Sequence, residues 1–266
     1  MNPFTIFNRF LTVALASVAL LVTSCKKDPS QNPDPTGNKL VKIENSVSNY
    51  VTFEYDGSGK LSKLTAVESP ETEVINLTYT NNKVATATSA SNAIKFNYDG
   101  EGQLQQANVH AGNLQGPLAS YLKFNYQDNV LNNITTYAKF PGEDEALPFI
   151  KQVFEYYADG DIKAQKDYQY NILTNELILS KTITYEYDNN PNPLFSLGEI
   201  YQISFEMPSK HNPIKAITTD KDNNLIETTS FTYTYNTNGY PVEAKKSAKA
   251  PGQANATVSS TKYTYQ

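Results

Sequence analysis

The chain has 266 residues, 39% of them hydrophobic, and a formal net charge of −5, which allows one domain with a sizeable core. Arg9 is its only arginine, and the excess of acidic residues disfavours nucleic acid, which is bound by clustered basic residues. Cys25 is its only cysteine, so disulfide bonds, cysteine-bound zinc and thiol catalysis are excluded from the domain. We expect no cofactor.

Residues 1–24 have the features of an export signal. Arg9 precedes an apolar run from Phe10 to Val22, which is shorter than the about 20 residues of a membrane-spanning helix. Small residues then lead directly to Cys25, an arrangement that resembles the lipobox of bacterial lipoproteins. This resemblance implies removal of residues 1–24 and attachment of a lipid such as palmitate to Cys25. An uncleaved anchor helix is the alternative interpretation, and it also tethers the chain to a membrane.

Residues 25–39 follow as a polar segment with the sequence CKKDPSQNPDPTGNK. Its Pro, Asn, Gly and charged residues cannot bury enough apolar surface to offset the entropy that ordering would cost. We therefore predict a flexible tether that connects the lipid to a folded domain over residues 40–266.

A short pattern recurs through that domain: an aromatic residue, a polar residue, a tyrosine, a turn rich in Asp, Gly and Asn, and then an aliphatic residue. The clearest copies are 53–61 (FEYDGSGKL) and 96–104 (FNYDGEGQL). The tyrosines that mark the copies are Tyr55, Tyr79, Tyr98, Tyr126, Tyr156, Tyr187, Tyr235 and Tyr265. A long interval after Tyr187 indicates one eroded copy at Phe205, Glu206 and Met207.

Each copy predicts a hairpin, because alternation with period two places Phe53 and Tyr55 on one face of a strand and Glu54 on the other. Asp-Gly and Asn-Gly sequences reverse the chain at low steric cost. We predict an all-β, antiparallel, up-and-down meander of about 14 to 18 strands, almost without helix, in a strongly curved or closed sheet. The longest loops are expected at 105–118, 141–149 and 188–198.

The YDGxG stretches at Tyr55 and Tyr98 resemble the YD repeats of bacterial wall-associated and RHS-type surface proteins, although Lys60 and Gln103 stand where those repeats usually have Arg. Together with the lipobox, the chain over residues 40–266 is similar to Bacteroidetes-type lipoproteins of unknown function. That resemblance implies a porin-like curved antiparallel sheet and an outer-membrane location, lipid-anchored and exposed at the cell surface. It carries no catalytic residues.

An integral outer-membrane barrel would need an apolar outward face. The residues between the repeat aromatics are mostly polar and include Glu54, Glu155 and Glu186, so contact of this face with lipid would be costly. We therefore expect the aromatic residues to form a buried core and the intervening polar residues to face water.

Few other residues indicate chemistry. His110 and His211 are expected in solvated loops, without a metal. The segment Asp220–Asn224 imitates half of a calcium loop but lacks its later ligands, so a hairpin turn is expected. Carboxylates at 143–145 and 159–161 could serve as general acid and base, but acidic loops are ordinary on an anionic protein.

The 19 tyrosines raise the hypothesis of a glycan-binding platform, because aromatic faces stack on sugars. The off-pattern members are the candidates for ligand contact: Tyr121, Tyr157, Tyr168, Tyr170 and Tyr201. We expect a non-enzymatic binding or scaffold module whose partners are the membrane, through the lipid on Cys25, and a polysaccharide or an envelope protein. A hydrolase acting on glycans and a purely structural envelope protein are the alternatives.

Overall fold

A computed structural model describes residues 39–139, 145–203 and 209–266. Sixteen strands account for most of these residues. In chain order they are β1 (Leu40–Ser46), β2 (Asn49–Tyr55), β3 (Leu61–Glu68), β4 (Glu71–Thr80), β5 (Lys83–Thr88), β6 (Asn92–Tyr98), β7 (Leu104–Ala111), β8 (Leu118–Gln127), β9 (Val130–Lys139), β10 (Ala146–Tyr156), β11 (Ile162–Asn171), β12 (Glu176–Pro191), β13 (His211–Asp220), β14 (Leu225–Tyr235), β15 (Pro241–Lys249) and β16 (Thr257–Tyr265).

Each strand pairs antiparallel with its neighbours in sequence, and β1 pairs with β16, so the sheet closes into a barrel. This confirms the predicted all-β, up-and-down meander, and it settles the open choice between a curved and a closed sheet in favour of closure. Closure satisfies the backbone groups of both terminal strands and leaves no free sheet edge among the described strands. No helix in the described part of the chain is long and apolar enough to cross a membrane.

The repeat has a constant geometry at one end of the barrel. The tyrosine that marks a copy lies opposite a residue at or near the start of the next odd-numbered strand, as Tyr55 does with Leu61 and Tyr98 with Leu104. A bulge of one residue directly precedes this pair. Tyr265 of β16 meets Leu40 of β1 in the same way, so the barrel closes with the geometry that joins its other hairpins.

Two of the longer turns at this end, those after β2 and β6, are shaped by an aspartate. Asp56 Oδ1 accepts hydrogen bonds from the backbone N–H groups of Ser58 and Lys60, at 2.9 and 3.0 Å. Gly59 has a φ of 83°, a left-handed conformation that costs glycine little. The shorter turns have two residues, both with positive φ, as type I′ hairpins require; they are Asn81 with Asn82 and Asp128 with Asn129.

Tyrosine hydroxyl groups form hydrogen bonds between neighbouring hairpins at the end of the barrel where the repeat turns lie. We call this end the tyrosine rim. Each hydroxyl donates to a backbone carbonyl oxygen at or near the start of the preceding odd-numbered strand, as Tyr55 does to Leu40 at 2.8 Å and Tyr79 to Leu61 at 2.7 Å. The same bond is made by Tyr98, Tyr156, Tyr187, Tyr233 and Tyr265. In β14 this donor is Tyr233, whereas the predicted marker Tyr235 donates to Asp188.

Alternation along the strands separates an apolar interior from a polar exterior, as predicted. Phe53, Phe96, Phe124 and Phe154 are buried and belong to one hydrophobic cluster. The intervening residues Glu54, Asn125, Glu155, Glu186, Thr232 and Thr264 are exposed, and Asn97 is half-buried. Ion pairs join outward side chains of adjacent strands at 2.6 to 2.8 Å: Lys63 with Glu54, Lys166 with Glu155, and Lys215 with Glu186.

A short helical segment connects β12 to β13 at the tyrosine rim. It contains a 3₁₀ helix (Pro193–Leu197) and one turn of α-helix, α1 (Glu199–Gln202). The Asn192 side chain caps the 3₁₀ helix by accepting from Leu194 N–H at 3.0 Å, and Pro193 fits the first turn because it lacks an N–H donor. Leu197, Tyr201 and Ile203 pack into the hydrophobic cluster, so the segment covers the interior at this end.

Several loop predictions were wrong. His110 lies within β7 and His211 begins β13, so neither histidine is in a loop. Residues 105–111 belong to β7, 146–149 to β10 and 188–191 to β12, because pairing with neighbouring strands extends each strand into the predicted loop. β12 pairs directly with β13, which leaves no place in the sheet for an eroded copy; Phe205, Glu206 and Met207 lie outside the described residues.

Candidate functional site

Two tyrosines stack on the outer surface where β8 and β9 pair. Tyr121 and Tyr137 are partners in the register, and their rings lie 4.7 Å apart with an interplanar angle of 8°. Both face outward, because Leu122 beside Tyr121 and Thr136 beside Tyr137 are buried. Lys123 Nζ lies 5.8 and 5.3 Å from the two ring centroids. This arrangement presents flat aromatic surface together with hydroxyl and ammonium donors.

Two more tyrosines continue this surface on β11. Lys166 of that strand pairs outward with Glu155, so Tyr168 and Tyr170, two and four residues further along, face the same side. We call Tyr121, Tyr137, Tyr168 and Tyr170 the aromatic strip. It crosses four adjacent strands, a distance of about 14 Å at the normal spacing of strands.

The aromatic strip lies towards the end of the barrel opposite the tyrosine rim. Tyr121 is near the first residue of β8 and Tyr170 near the last residue of β11. The turn after β11 adds two apolar side chains, Ile172 and Leu173, which are 72% and 90% exposed. Large contiguous patches of exposed apolar groups are typical of interaction surfaces.

The strip tyrosines carry hydroxyl groups whose surroundings affect their hydrogen bonding. Burial, with the nearby Tyr137 and Glu145, raises the pKa of Tyr121 above its ordinary value. Tyr170 donates its hydroxyl to Asn175 Oδ1 at 2.9 Å, which fixes the orientation of the ring. These hydroxyl groups can therefore donate and accept hydrogen bonds, the interactions that sugars use.

The structure brings together three of the five aromatic residues that the sequence singled out. Tyr121, Tyr168 and Tyr170 belong to the strip, whereas Tyr157 is at the tyrosine rim, where its hydroxyl donates to Tyr185 O at 2.9 Å. Tyr201 is buried in the hydrophobic cluster and is not part of the surface. Tyr137 was missed, although counting back from the turn at Asp128, with one bulge, places it opposite Tyr121.

A second cluster joins acidic residues to a histidine at the tyrosine rim. Ligand atoms of Asp159, Asp161 and His211 all lie within 4.8 Å of one another. Asp161 is only 1% exposed; its Oδ1 accepts from His211 N–H at 3.1 Å, and its Oδ2 lies 2.6 Å from His211 Nδ1. Of the other acidic candidates, Glu145 is exposed, while Glu143 and Asp144 lie outside the described residues.

The fold defines a class of closed antiparallel barrels. Similar solved structures include a porin-like protein from Bacteroides uniformis, with 17% identity and a TM-score of 0.56 over 90% of this chain and 100% of the other. Another is a porin-like protein from Bacteroides vulgatus, with 11% identity and a TM-score of 0.51 over 86% of this chain and 99% of the other. No protein-family model and no curated protein matches the sequence. At these identities the similarity shows a shared fold.

Proposed function

We propose that this protein is a lipid-anchored barrel of the outer membrane that stands in water at the cell surface and binds polysaccharide through the aromatic strip. The strip is the observation that carries the proposal. Four tyrosines on β8, β9 and β11, with β10 between the last two, present stacking surface and hydrogen-bonding groups over a length suited to several sugar units.

The polarity of the outer face supports a barrel surrounded by water. Its exposed residues include Glu54, Glu155 and Glu186, each paired with a lysine of a neighbouring strand. An integral barrel carries an apolar outward band, and charged residues there would be destabilising. The lipid on Cys25, rather than the strands, is thus the proposed contact with the membrane.

The position of the tether supports accessibility of the strip. Lys39, where the tether meets the barrel, pairs with Gln266 at the tyrosine rim, with Gln266 N–H 3.0 Å from Lys39 O. The aromatic strip lies towards the opposite end, so a barrel held through Cys25 directs the strip away from the lipid.

Binding without catalysis is the proposed mode of action. Glycoside hydrolysis requires two carboxylates flanking a sugar in an accessible cleft. Asp159 and Asp161 are close together, but Asp161 is buried and engaged by His211. The structural-envelope alternative predicted an exposed apolar patch or an unprotected edge strand. The described strands form a closed ring, which leaves the apolar patch as the feature that would favour that alternative.

Affinity electrophoresis of the purified chain through gels that contain individual neutral polysaccharides tests the proposal. The variant carrying Tyr121→Ala and Tyr137→Ala should bind about tenfold more weakly, because it removes the stacked pair. Tyr50→Ala is the matched control: Tyr50 faces outward from β2, with Lys42 Nζ 4.5 Å from its ring. Equal retardation of wild type, strip variant and control would contradict the assignment of the strip.

A separate experiment tests the anchor. Cys25→Ala should abolish labelling by palmitate and release the protein from the membrane fraction. An integral barrel would remain in that fraction without the lipid, which would contradict the proposed arrangement.

A further inference from the structure

We propose that Asp159, Asp161 and His211 bind a divalent transition-metal ion, for which Zn²⁺ is the natural probe. The sequence led us to expect no metal, because each histidine lacks histidine or cysteine neighbours in the chain. Folding brings His211 to a turn 50 residues earlier in the sequence, and ligand atoms of the three side chains then lie within 4.8 Å of one another.

The turn that carries the two aspartates departs from its counterparts in the repeat. In the regular turns the first residue is an aspartate, Asp56 or Asp99, whose Oδ1 accepts from two backbone N–H groups. Tyr157 holds that first position in the turn after β10. The carboxylates have moved to the third and fifth positions, where they meet His211. The turn therefore lacks the cap at its first position, Asp159 Oδ1 accepts from Asp161 N–H at 3.1 Å, and the turn gains two potential ligands.

The fifth position of the turn shows the same departure. Lys60 and Gln103 occupy it in the regular copies, directly before the residue that begins the next strand. Asp161 stands at this position instead. Lys210, from the start of the next part of the chain, donates its Nζ to Asp159 O at 2.7 Å. A carboxylate at this position is not needed to build the turn.

The burial of Asp161 adds a physical reason for a cation. Its carboxylate is 1% exposed, and buried carboxylates are normally compensated by a positive partner or a metal. The neighbouring donor is His211 Nδ1, 2.6 Å from Asp161 Oδ2. An ion between them takes the place of the shared proton and requires only a small increase in this separation, because each zinc–ligand bond is about 2.0 to 2.2 Å long.

The donor set indicates which ion is held. One imidazole nitrogen and two carboxylate oxygens suit zinc or a similar first-row ion, with a remaining position for water. Calcium prefers six to eight oxygen ligands, which these three side chains do not supply. The bound ion would link the turn between β10 and β11 to the first residue of β13. These two parts of the chain lie on the two sides of β12 in the sheet.

Isothermal titration of the untagged full chain with ZnCl₂ tests the proposal. We expect one Zn²⁺ per chain, a higher thermal midpoint with the ion, and weaker or absent binding of Ca²⁺. Asp159→Asn and His211→Gln should each weaken Zn²⁺ binding by at least about tenfold. Asp159 is exposed, so its substitution leaves the folded core intact and keeps the test valid if the His211 variant is unstable.

Two control variants complete the design. His110→Gln removes the other histidine, and Asp222→Asn alters an acidic turn that has no histidine beside it; both should bind Zn²⁺ like the wild type. Absence of stoichiometric binding by the wild type would overturn the proposal. So would undiminished binding by Asp159→Asn, or loss of binding in either control.

Discussion

Strands β1–β9 and strands β10–β16 present different side chains to the interior of the same barrel. In the first group most buried strand positions hold apolar residues such as Val51, Ile94 and Leu122, each less than 9% exposed, although Ser120 and Thr136 are also buried. In the second group, equally buried inward positions hold Gln152 and Gln165. The backbone ladders and the tyrosine rim nevertheless continue unchanged around the ring.

Hydrogen bonds within the second group explain how it tolerates polar residues. Gln165 Nε2 donates to Asp167 Oδ1 at 2.8 Å, and Lys181 Nζ lies 3.4 Å from Asp167 Oδ2. Buried polar groups cost little when they are paired in this way. The comparison teaches that the hairpin unit depends on its tyrosine and its bulge, whereas the interior can be filled in more than one manner.

The largest expected effect is unfolding of the whole barrel at high pH. It tests whether the two groups of strands unfold together, as a continuous tyrosine rim predicts. Burial raises the pKa of Tyr126 in the first group and of Tyr156 in the second to about 12. Unfolded tyrosines lose their protons near pH 10, so the stability due to these protonated rings falls as the pH rises from about 10 to about 12.

Circular dichroism and tyrosinate absorbance, followed together during alkaline titration, check this prediction. We expect one cooperative transition in that pH range. Two separate transitions would show that the groups unfold independently.

The next largest effect should distinguish the two interiors. Phe124→Ala removes a ring that is 1% exposed and should lower the free energy of unfolding by about 3 to 5 kcal/mol. Phe231→Ala, in the second group, removes a partly buried ring that stacks on Tyr233 at 6.5 Å, and it should cost about 2 kcal/mol or less. Urea unfolding of both variants measures the difference; equal losses would contradict the proposed contrast.

The smallest effect concerns the feature that the two groups share. Tyr98→Phe removes the hydroxyl bond to Val84 O, and Tyr233→Phe removes the bond to Pro213 O, at 2.8 and 2.7 Å. Each change should lower the free energy of unfolding by about 1 kcal/mol. Tyr50→Phe, on the outer face, should change it by less than about 0.5 kcal/mol. A loss confined to one group would show that the rim is not uniform.

Much of the fold could be predicted because the repeat is local. The alternation of Phe53, Glu54 and Tyr55 predicts the two faces of a strand. Asp56 and Gly57 then predict the turn that follows. Closure was left open by the sequence, because the pairing of Leu40 with Tyr265 joins two strands that no local pattern requires to meet.

The remaining features depend on contacts that are distant in the sequence. Tyr137 joins Tyr121 only through the register of β8 and β9. His211 and Asp161 are 50 residues apart in the sequence. They meet because the chain passes through β12 and then through a helical segment whose apolar residues pack into the barrel interior. Pattern and turn chemistry do not specify such contacts, so the aromatic strip was predicted in part and the Asp161–His211 pair was missed.

The backbone pairing of Lys39 with Gln266 makes the break in the ring equivalent to one more rim turn. A short peptide joining these residues and a new opening between Asp128 and Asn129 would leave every strand with its present neighbours. The barrel is therefore a suitable scaffold for circular permutation.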